Sequence, residues 1–526
     1  MSQKLILGIE LGSTRIKSVL TDARGRVLAS GSSTWENKLE DGWWTYSLDA
    51  VRDGVRASFA ALSAEFGGVP EHLDAIGVSA MMHGYLAFDR DRRLLVPFRT
   101  WRNTATSRAA SELSYAFDFN IPERWSCAHL YEAVLRGEEH VGRVAHLTTL
   151  AGYLHFMLSG EDVLGIGDAS GVFPISDGAY DSRMLGIFNS LLHSHGFTAD
   201  AESLLPRILM AGEPAGRLTR EGAEYLDPTG TLKPGALLCP PEGDMQTGMA
   251  ATASVRPGYA NLSAGTSANL TLVLDRPLSR RHNETDVIAT PDGGAAALIH
   301  TNNCTSEINA WVSLFGEVAA LFGAEPPRHV LFDRLFEAAA ASDGNVGGLI
   351  GYDHTSGEPL AGTSHGAPLC VREEGGRLTL ANFMQMQIYS ALSALTLGLD
   401  ALKDEGAKIR SVTAHGGFYK TARVGQLATS AMLGVPVTVM ENSDAGGAWG
   451  IALLAGFMLA GGGSLADHLD GIFADTRRLT LTADASETKK CAAYLAGYRK
   501  YLPLCRLAGK ADPTAASAGG KESSNA

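Results

Sequence analysis

The first patterned stretch of the chain is an apolar run, Leu5-Ile6-Leu7-Gly8-Ile9-Glu10-Leu11, which breaks at Gly12-Ser13-Thr14 and resumes as the alternating Arg15-Ile16-Lys17-Ser18-Val19-Leu20. A short unbroken apolar run suits a strand buried on both faces and a period of two suits a half-buried one, so a tight hairpin is predicted. Asp22-Ala23-Arg24-Gly25-Arg26 reads as a second hairpin loop into Val27-Leu28-Ala29-Ser30. Three successive antiparallel strands result, which is not the strand-to-helix order of a dinucleotide fold. Ala75 to Ala80 is a further apolar strand, and Leu86 to Asp89 with Leu94 to Pro97 reads as another hairpin. Between them Met81-Met82-His83-Gly84 forms a loop at a strand end, where ligands commonly sit. Helical periodicity recurs near residues 49–63, 105–116 and 144–159.

The opening pattern returns about half a chain length later. Tyr259-Ala260-Asn261-Leu262-Ser263-Ala264 leads into Gly265-Thr266-Ser267 and then Ala268-Asn269-Leu270-Thr271-Leu272, with glycine and hydroxyls in the same order. Ahead of it, Pro240-Pro241-Glu242-Gly243-Asp244 breaks the chain before an alanine-rich helical stretch, and Arg256-Pro257-Gly258 opens a second lobe. Val412 to His415 then runs as a strand into Gly416-Gly417 and a helix to about Leu433. The strand Val435 to Met440, the loop Glu441 to Asp444 and a glycine-rich helix from Ala445 come next. The division expected is residues 1–255, residues 256–507 and a disordered Ala-, Ser-, Gly- and Lys-rich tail over 508–526.

Composition narrows the class. With 526 residues, 45% hydrophobic and 19% charged, the chain can bury two cores and is neither disordered nor fibrous. A net charge of −13 with no block of lysine or arginine argues against nucleic acid as a partner. Six cysteines, at 127, 239, 304, 370, 491 and 505, have no Cys-x-x-Cys pair or regular spacing, and read as reduced, mostly buried thiols. Glu10 interrupts what would be a signal core, and the apolar stretch Trp449 to Ala460 is far short of the ~20 residues that span a bilayer. The expectation is a cytoplasmic protein with no membrane partner.

Glycine lets backbone N–H groups approach an anion and adjacent hydroxyls add donors, so each glycine-hydroxyl turn can hold phosphate. Two of them suggest one nucleotide held between two similar lobes; plain hairpin turns are the alternative. Asp244 either caps the helix that follows it or offers a carboxylate at a strand end. His83 is either a structural hydrogen-bonder or a sugar-directed donor, and Lys17 either a solvated strand lysine or a phosphate contact.

The pieces Gly8-Ile9-Glu10-Leu11-Gly12-Ser13-Thr14, Met82-His83-Gly84, Trp101-Arg102-Asn103-Thr104, Gly243-Asp244, Ala264-Gly265-Thr266-Ser267 and His415-Gly416-Gly417 resemble, in order and spacing, those of the FGGY carbohydrate kinases. The resemblance runs to about residue 460 and looks closest to the xylulokinase and ribulokinase side. It implies an α/β fold of two duplicated actin-like, ribonuclease H-like (ASKHA) domains with a nucleotide and sugar cleft, the first lobe binding sugar and the second nucleotide. It further implies phosphorylation of a ketopentose, L-ribulose or D-xylulose, with ATP and Mg²⁺ as cofactors. A hexulose or polyol kinase and a non-catalytic sensor are the alternatives.

On this resemblance Asp244 is the base. Gly12, Ser13, Thr14, Lys17, Gly265, Thr266, Ser267, Gly416, Gly417 and Gly446 contact the nucleotide, and Glu10 holds Mg²⁺ or its water shell. Met82, His83, Trp101, Arg102 and Asn103 face the sugar, together with Asp244. Asn303 and Trp311 stand as weaker cleft candidates. Two positions depart from the family, which usually has aspartate in place of Glu10 and Trp-Asn-Asp in place of Trp101-Arg102-Asn103. Family members are often dimers, so a homodimer is the assembly that analogy offers.

Overall fold

The computed structural model describes residues 4–440 and 446–510; the loop expected at 441–444 and the tail beyond 510 lie outside them. Contacts sort the chain into two compact units, one of Met1–Pro257, Val273–Ala297 and Ala445–Thr476, the other of Gly258–Leu272, Leu298–Asp444 and Arg477–Ala526. A single cut at 255/256 therefore does not separate them. The segment from Ala445 returns to the first unit because its apolar helix is buried there.

In the first unit β1 (Ile6–Leu11), β2 (Arg15–Thr21) and β3 (Val27–Thr34) are consecutive antiparallel strands, and β4 (Ala75–Ala80) lies parallel to β1 on its other side. The short strands β5 (Leu237–Leu238) and β6 (Glu242–Gly243) both pair with β4. β1 and β4 are apolar throughout except at Glu10 and Ser79, as strands covered on both faces must be. Helix α1 (Leu48–Phe66) covers one face: Ser47 caps it by accepting from the Ala50 N–H, Gly67 ends it at φ 95°, and Val51, Val55, Phe59 and Leu62 face the sheet at helical spacing. Each such side chain contributes about 1.5–3 kcal/mol by leaving water.

The other face is taken by α3 (Gly446–Leu459), which has no polar stripe and is buried along almost its whole length. It lies directly on the backbone of two neighbouring strands. Gly8 and Gly77 are partners in the β1–β4 register, and a side chain on Gly8 would overlap the Ala448 carbonyl oxygen. A Cβ on Gly77 would stand 2.7 Å from the Ile451 carbonyl oxygen. α3 also crosses α2 (Asp244–Ala251) at Gly450, whose Cβ would overlap the Thr247 carbonyl.

The second unit repeats the plan. β7 (Tyr259–Ala264) is antiparallel to β8 (Ala268–Val273) and parallel to β10 (Ser411–His415), as β1 is to β2 and β4. With β9 (Ala295–Thr301), β11 (Val437–Met440) and β12 (Arg478–Leu481), six of the seven strands of this sheet run in the order β9-β8-β7-β10-β11-β12. The duplicated hairpin pattern read from the sequence is thus a duplicated sheet.

Two local expectations are refined. The hairpin over 86–97 forms through the Asp89 N–H on the Arg93 carbonyl and the Leu95 N–H on the Ala87 carbonyl, both at 3.0 Å, and Leu86–Phe88 takes a second antiparallel partner in His146–Thr148. The helix expected from 144 begins at Leu150, capped by Thr149, because residues 146–148 are taken by that strand. All six cysteines are free, and only Cys370 is exposed. Among the described residues no helix is long and apolar enough to cross a membrane.

The seat of α3 gives a paired test. Gly77→Ala drives a methyl into the α3 backbone and should destabilise the protein by roughly 2–3 kcal/mol. Gly471→Ala, in a helix with nothing within 4 Å of the new methyl, should be neutral or raise stability by ~0.5–1 kcal/mol. Thermal unfolding of the two variants checks this, and equal effects would refute the close seat of α3.

Candidate active site

In the first unit the β1–β2 turn is tied down from behind. The Gly12 N–H donates to the Arg15 carbonyl at 3.0 Å, the Trp35 indole donates to the Gly12 carbonyl at 2.7 Å, and the Tyr46 hydroxyl donates to the Ser13 carbonyl at 2.6 Å. Trp35 and Tyr46 stack with ring centroids 4.0 Å apart. With the turn carbonyls drawn inward, Ser13 and Thr14 are left exposed. Sequence reasoning gave neither aromatic ring a role at the turn, since the two contacts join residues 23 and 33 positions apart.

The second unit uses the same device on its own turn. The Gly265 carbonyl accepts from the Thr305 N–H at 3.0 Å and from its hydroxyl at 2.7 Å, and the Thr266 carbonyl accepts from the Cys304 N–H at 2.9 Å. Thr266 is exposed and Ser267 half-buried. Gly416, at φ 104°, passes so close to Ala264 that a side chain would overlap its carbonyl oxygen, and Gly417 has open space where a side chain would stand. Asn303 is structural: its amide joins Ser356 and the buried Glu358. Trp311 donates to Glu307 at 2.8 Å.

Glu10 and Lys17 are register partners on β1 and β2. The start of α3 closes over them: Glu10 Oε2 accepts from the Ala448 N–H at 3.3 Å, and a Cβ on Gly446 would lie 3.4 Å from both Glu10 Oε2 and Lys17 Nζ. Burial raises the Glu10 carboxyl above its ordinary range, opposed by the Lys17 ammonium and the N–H groups at the α3 start. The structure thus brings Glu10, Lys17 and Gly446 together. Among the described residues there is no group of three or more His, Cys, Asp or Glu side chains suited to a metal ion. One carboxylate beside a glycine-hydroxyl turn fits a magnesium ion that keeps most of its ligands as water and phosphate oxygen.

Asp244 opens α2, but Gly243 holds the cap position, so the capping alternative fails for this side chain. Instead its Oδ1 accepts from the Met82 N–H, at the end of β4, at 3.3 Å. Burial is the largest influence on this carboxyl, which is pushed up to about 7; the Met82 N–H opposes the shift and the Glu10 charge adds to it. Next to Met82 the chain turns through two left-handed residues, His83 at φ 70° and Gly84 at φ 96°. A left-handed histidine is strained, and the turn is held by the Gly84 N–H on the Arg124 carbonyl at 3.0 Å and the Ser126 hydroxyl on the Gly84 carbonyl at 2.6 Å. His83 is buried, donates from Nδ1 to the Gly171 carbonyl at 3.3 Å, and lies parallel to the Trp125 ring.

The Trp101-Arg102-Asn103 stretch divides by role. Trp101 packs on the core of the first unit. Asn103 is buried, its amide nitrogen donating to the Trp44 and Thr100 carbonyls at 2.9 and 3.0 Å and its oxygen accepting from the Trp44 N–H at 2.9 Å. Arg102 is exposed and stacks over the Trp44 ring at 4.0 Å. Of the three, Arg102 is the exposed one.

Behind Asp244 lie two acids that sequence reasoning did not single out. Glu242 and Asp168 are fully buried; Asp168 accepts from the Thr149 hydroxyl at 2.5 Å, and its Oδ1 finds no partner among the described residues. Burial pushes Asp168 up to about 7 and Glu242 well above the carboxylate range.

Two sheets that each open with a hairpin closed by a glycine-hydroxyl turn and flanked by a parallel strand are the plan of duplicated actin-like units. Residues 5–123 match the N-terminal domain and residues 260–459 the C-terminal domain of the FGGY family of carbohydrate kinases. The chain belongs to this family and is a carbohydrate kinase. A xylulose kinase of Haemophilus influenzae is 20% identical over 477 residues, spanning 84% of this chain and 88% of that protein. Among solved structures, a xylulose kinase from Rhodospirillum rubrum superposes with a TM-score of 0.78 at 18% identity over 96% of this chain and 99% of the other. A gluconate kinase from Lactobacillus acidophilus does so at 0.76, with 18% identity over 96% and 98%.

The buried Asp168 has a measurable cost. Its carboxyl is raised in the folded state, so its contribution favours folding below the unfolded value near 4 and is lost as pH climbs towards about 7. Asp168→Asn abolishes that loss. The melting temperature of the variant relative to the parent should rise between pH 5 and pH 8, and a difference independent of pH would contradict a buried, proton-holding Asp168.

Proposed function

We propose that the protein phosphorylates a ketopentose, L-ribulose or D-xylulose, at its terminal hydroxyl with ATP as donor. The observation that carries this reading is the join between Asp244 and the Met82-His83 loop, which sets a raised carboxyl beside a buried histidine at one strand end. The xylulose kinases among its relatives support the substrate class.

Phosphoryl transfer asks the protein for alignment, charge neutralisation and one proton acceptor. Asp244, ionised, accepts the proton of the sugar hydroxyl as its oxygen attacks the γ-phosphorus, and the broken phosphoanhydride bond leaves ADP. With its Nδ1–H given to the Gly171 carbonyl, the neutral His83 ring accepts from a sugar hydroxyl at Nε2, which corrects the donor role expected from the sequence, and Met82 packs against the carbon skeleton. Arg102, flat on Trp44, adds a donor at the sugar, with Trp101 and Asn103 fixing its loop. Ser13, Thr14 and the Gly12 turn receive phosphate oxygens, and Lys17 adds a compact positive charge. In the second unit Gly265, Thr266, Ser267, Gly416 and Gly417 are assigned to ATP, as is Gly446. Glu10 would hold magnesium, directly or through water, and when bound the ion neutralises charge on the transferring phosphoryl group.

A coupled ADP assay across ketopentoses, ketohexoses and polyols tests the reading. Turnover with Mg-ATP should be stimulated by L-ribulose or D-xylulose above the other sugars. Asp244→Ala should lose at least ~10²-fold in kcat while still binding sugar by calorimetry. Absence of sugar-stimulated turnover across the panel would overturn the ketopentose assignment, and near-parental turnover of Asp244→Ala would overturn the base.

A further inference from the structure

Asp244 and His83 sit in a closed circuit of contacts. From Asp244 Oδ1 the path runs to the Met82 N–H at 3.3 Å, and from His83 Nδ1 to the Gly171 carbonyl at 3.3 Å. Gly171 ends a tight segment that includes a short helix, Ile166–Ala169. That segment is clamped by Glu242: Oε2 accepts from the Asp168 N–H at 2.8 Å and Oε1 from the Gly167 N–H at 3.4 Å. The Gly165 N–H donates to the Pro241 carbonyl at 2.8 Å. Glu242 precedes Gly243 and Asp244 in the chain, and the circuit is complete.

The fit is too close to be incidental. Side chains on Gly165 or Gly167 would overlap the Glu242 carboxyl, one on Gly243 would overlap Met82, and one on Gly171 would stand 2.6 Å from His83 Nδ1 and 2.9 Å from Met82 Cε. A buried carboxyl is expensive, and a surface-facing residue would join these segments at no such cost. What Glu242 adds is a rigid link of fixed length between the loop beneath His83 and the strand end bearing Asp244.

We propose that Glu242 is a positioning residue for phosphoryl transfer, setting the separation between the Asp244 carboxyl and His83 through residues 165–171. This rests on the roles proposed above for Asp244 and His83. Misplacement by about 1 Å at a reacting centre can cost on the order of 10²-fold in rate. Glu242→Gln keeps the size of the side chain, but its amide nitrogen cannot accept one of the two backbone N–H groups.

Two readouts test it. By amide hydrogen exchange without substrate, the Met82 and Gly84 amides of Glu242→Gln should exchange at least ~10-fold faster than in the parent, with the β1–β2 hairpin unchanged. In kinetics on whichever sugar the parent phosphorylates, kcat should fall and the sugar KM rise by about 5-fold or more, with the ATP KM within about twofold. Gly171→Ala, which presses on His83 from the other side, should shift the sugar KM the same way and serves if Glu242→Gln does not fold. Unchanged exchange at Met82 and Gly84 overturns the inference, as does a variant that loses kcat with both KM values unaltered. A parent silent on every sugar would overturn the ketopentose reading, while the exchange experiment still decides the role of Glu242.

Discussion

α3 rests on bare backbone. At Gly8 and Gly77 two adjacent strands offer no side chains, so the helix packs directly on the strand backbone with no room for a methyl between them. The consequence is positional: a helix seated that low delivers its first N–H groups to the level of the β1 end, where the Glu10 carboxyl meets Ala448. The same helix crosses α2 at Gly450 and so fixes the element that begins with Asp244. A conventional spacing of helix on sheet, about 10 Å, would leave room for side chains there and move the α3 start away from Glu10. The chemistry assigned to Glu10, Lys17 and Asp244 depends on that approach.

Charge is concentrated where it is least stable. Glu10, Asp168, Glu242 and Asp244 are all raised by burial within one unit. Hydrogen bonds from backbone N–H groups compensate three of them, at Ala448, at Gly167 and Asp168, and at Met82, while Asp168 relies on the Thr149 hydroxyl. Such groupings persist where function requires them, and here they surround the residue assigned as proton acceptor. The strained His83 belongs to the same neighbourhood.

Much of this was legible along the chain. The apolar run, glycine turn and alternating run mark β1, β2 and their duplicates β7 and β8, because turn chemistry and strand period are local properties. Asp244 was legible as a residue of interest but not as to role; its release from capping depends on Gly243 taking the cap. Trp101 read as an apolar face for sugar or a core ring, and Arg102 or Asn103 as donors, whereas Asn103 is committed to the backbone of Trp44, a partner 59 residues away that no local pattern announces. Asp168 and Glu242 carried no signal, since an isolated acid in sequence looks solvated until distant glycines enclose it. The second partner of Leu86–Phe88, at 146–148, was hidden for the same reason, whereas its neighbouring hairpin partner was legible.

The interleaving of the two units has a bearing on how the molecule is made. The first sheet is complete by residue 243, yet the helix that covers one of its faces is not synthesised until residue 446. A nascent chain therefore carries a glycine-notched apolar surface exposed through roughly two hundred further residues of elongation, the interval in which chaperones bind and premature termination leaves an aggregation-prone product. Docking of that late helix is then the event that turns a partly shielded fragment into a finished fold.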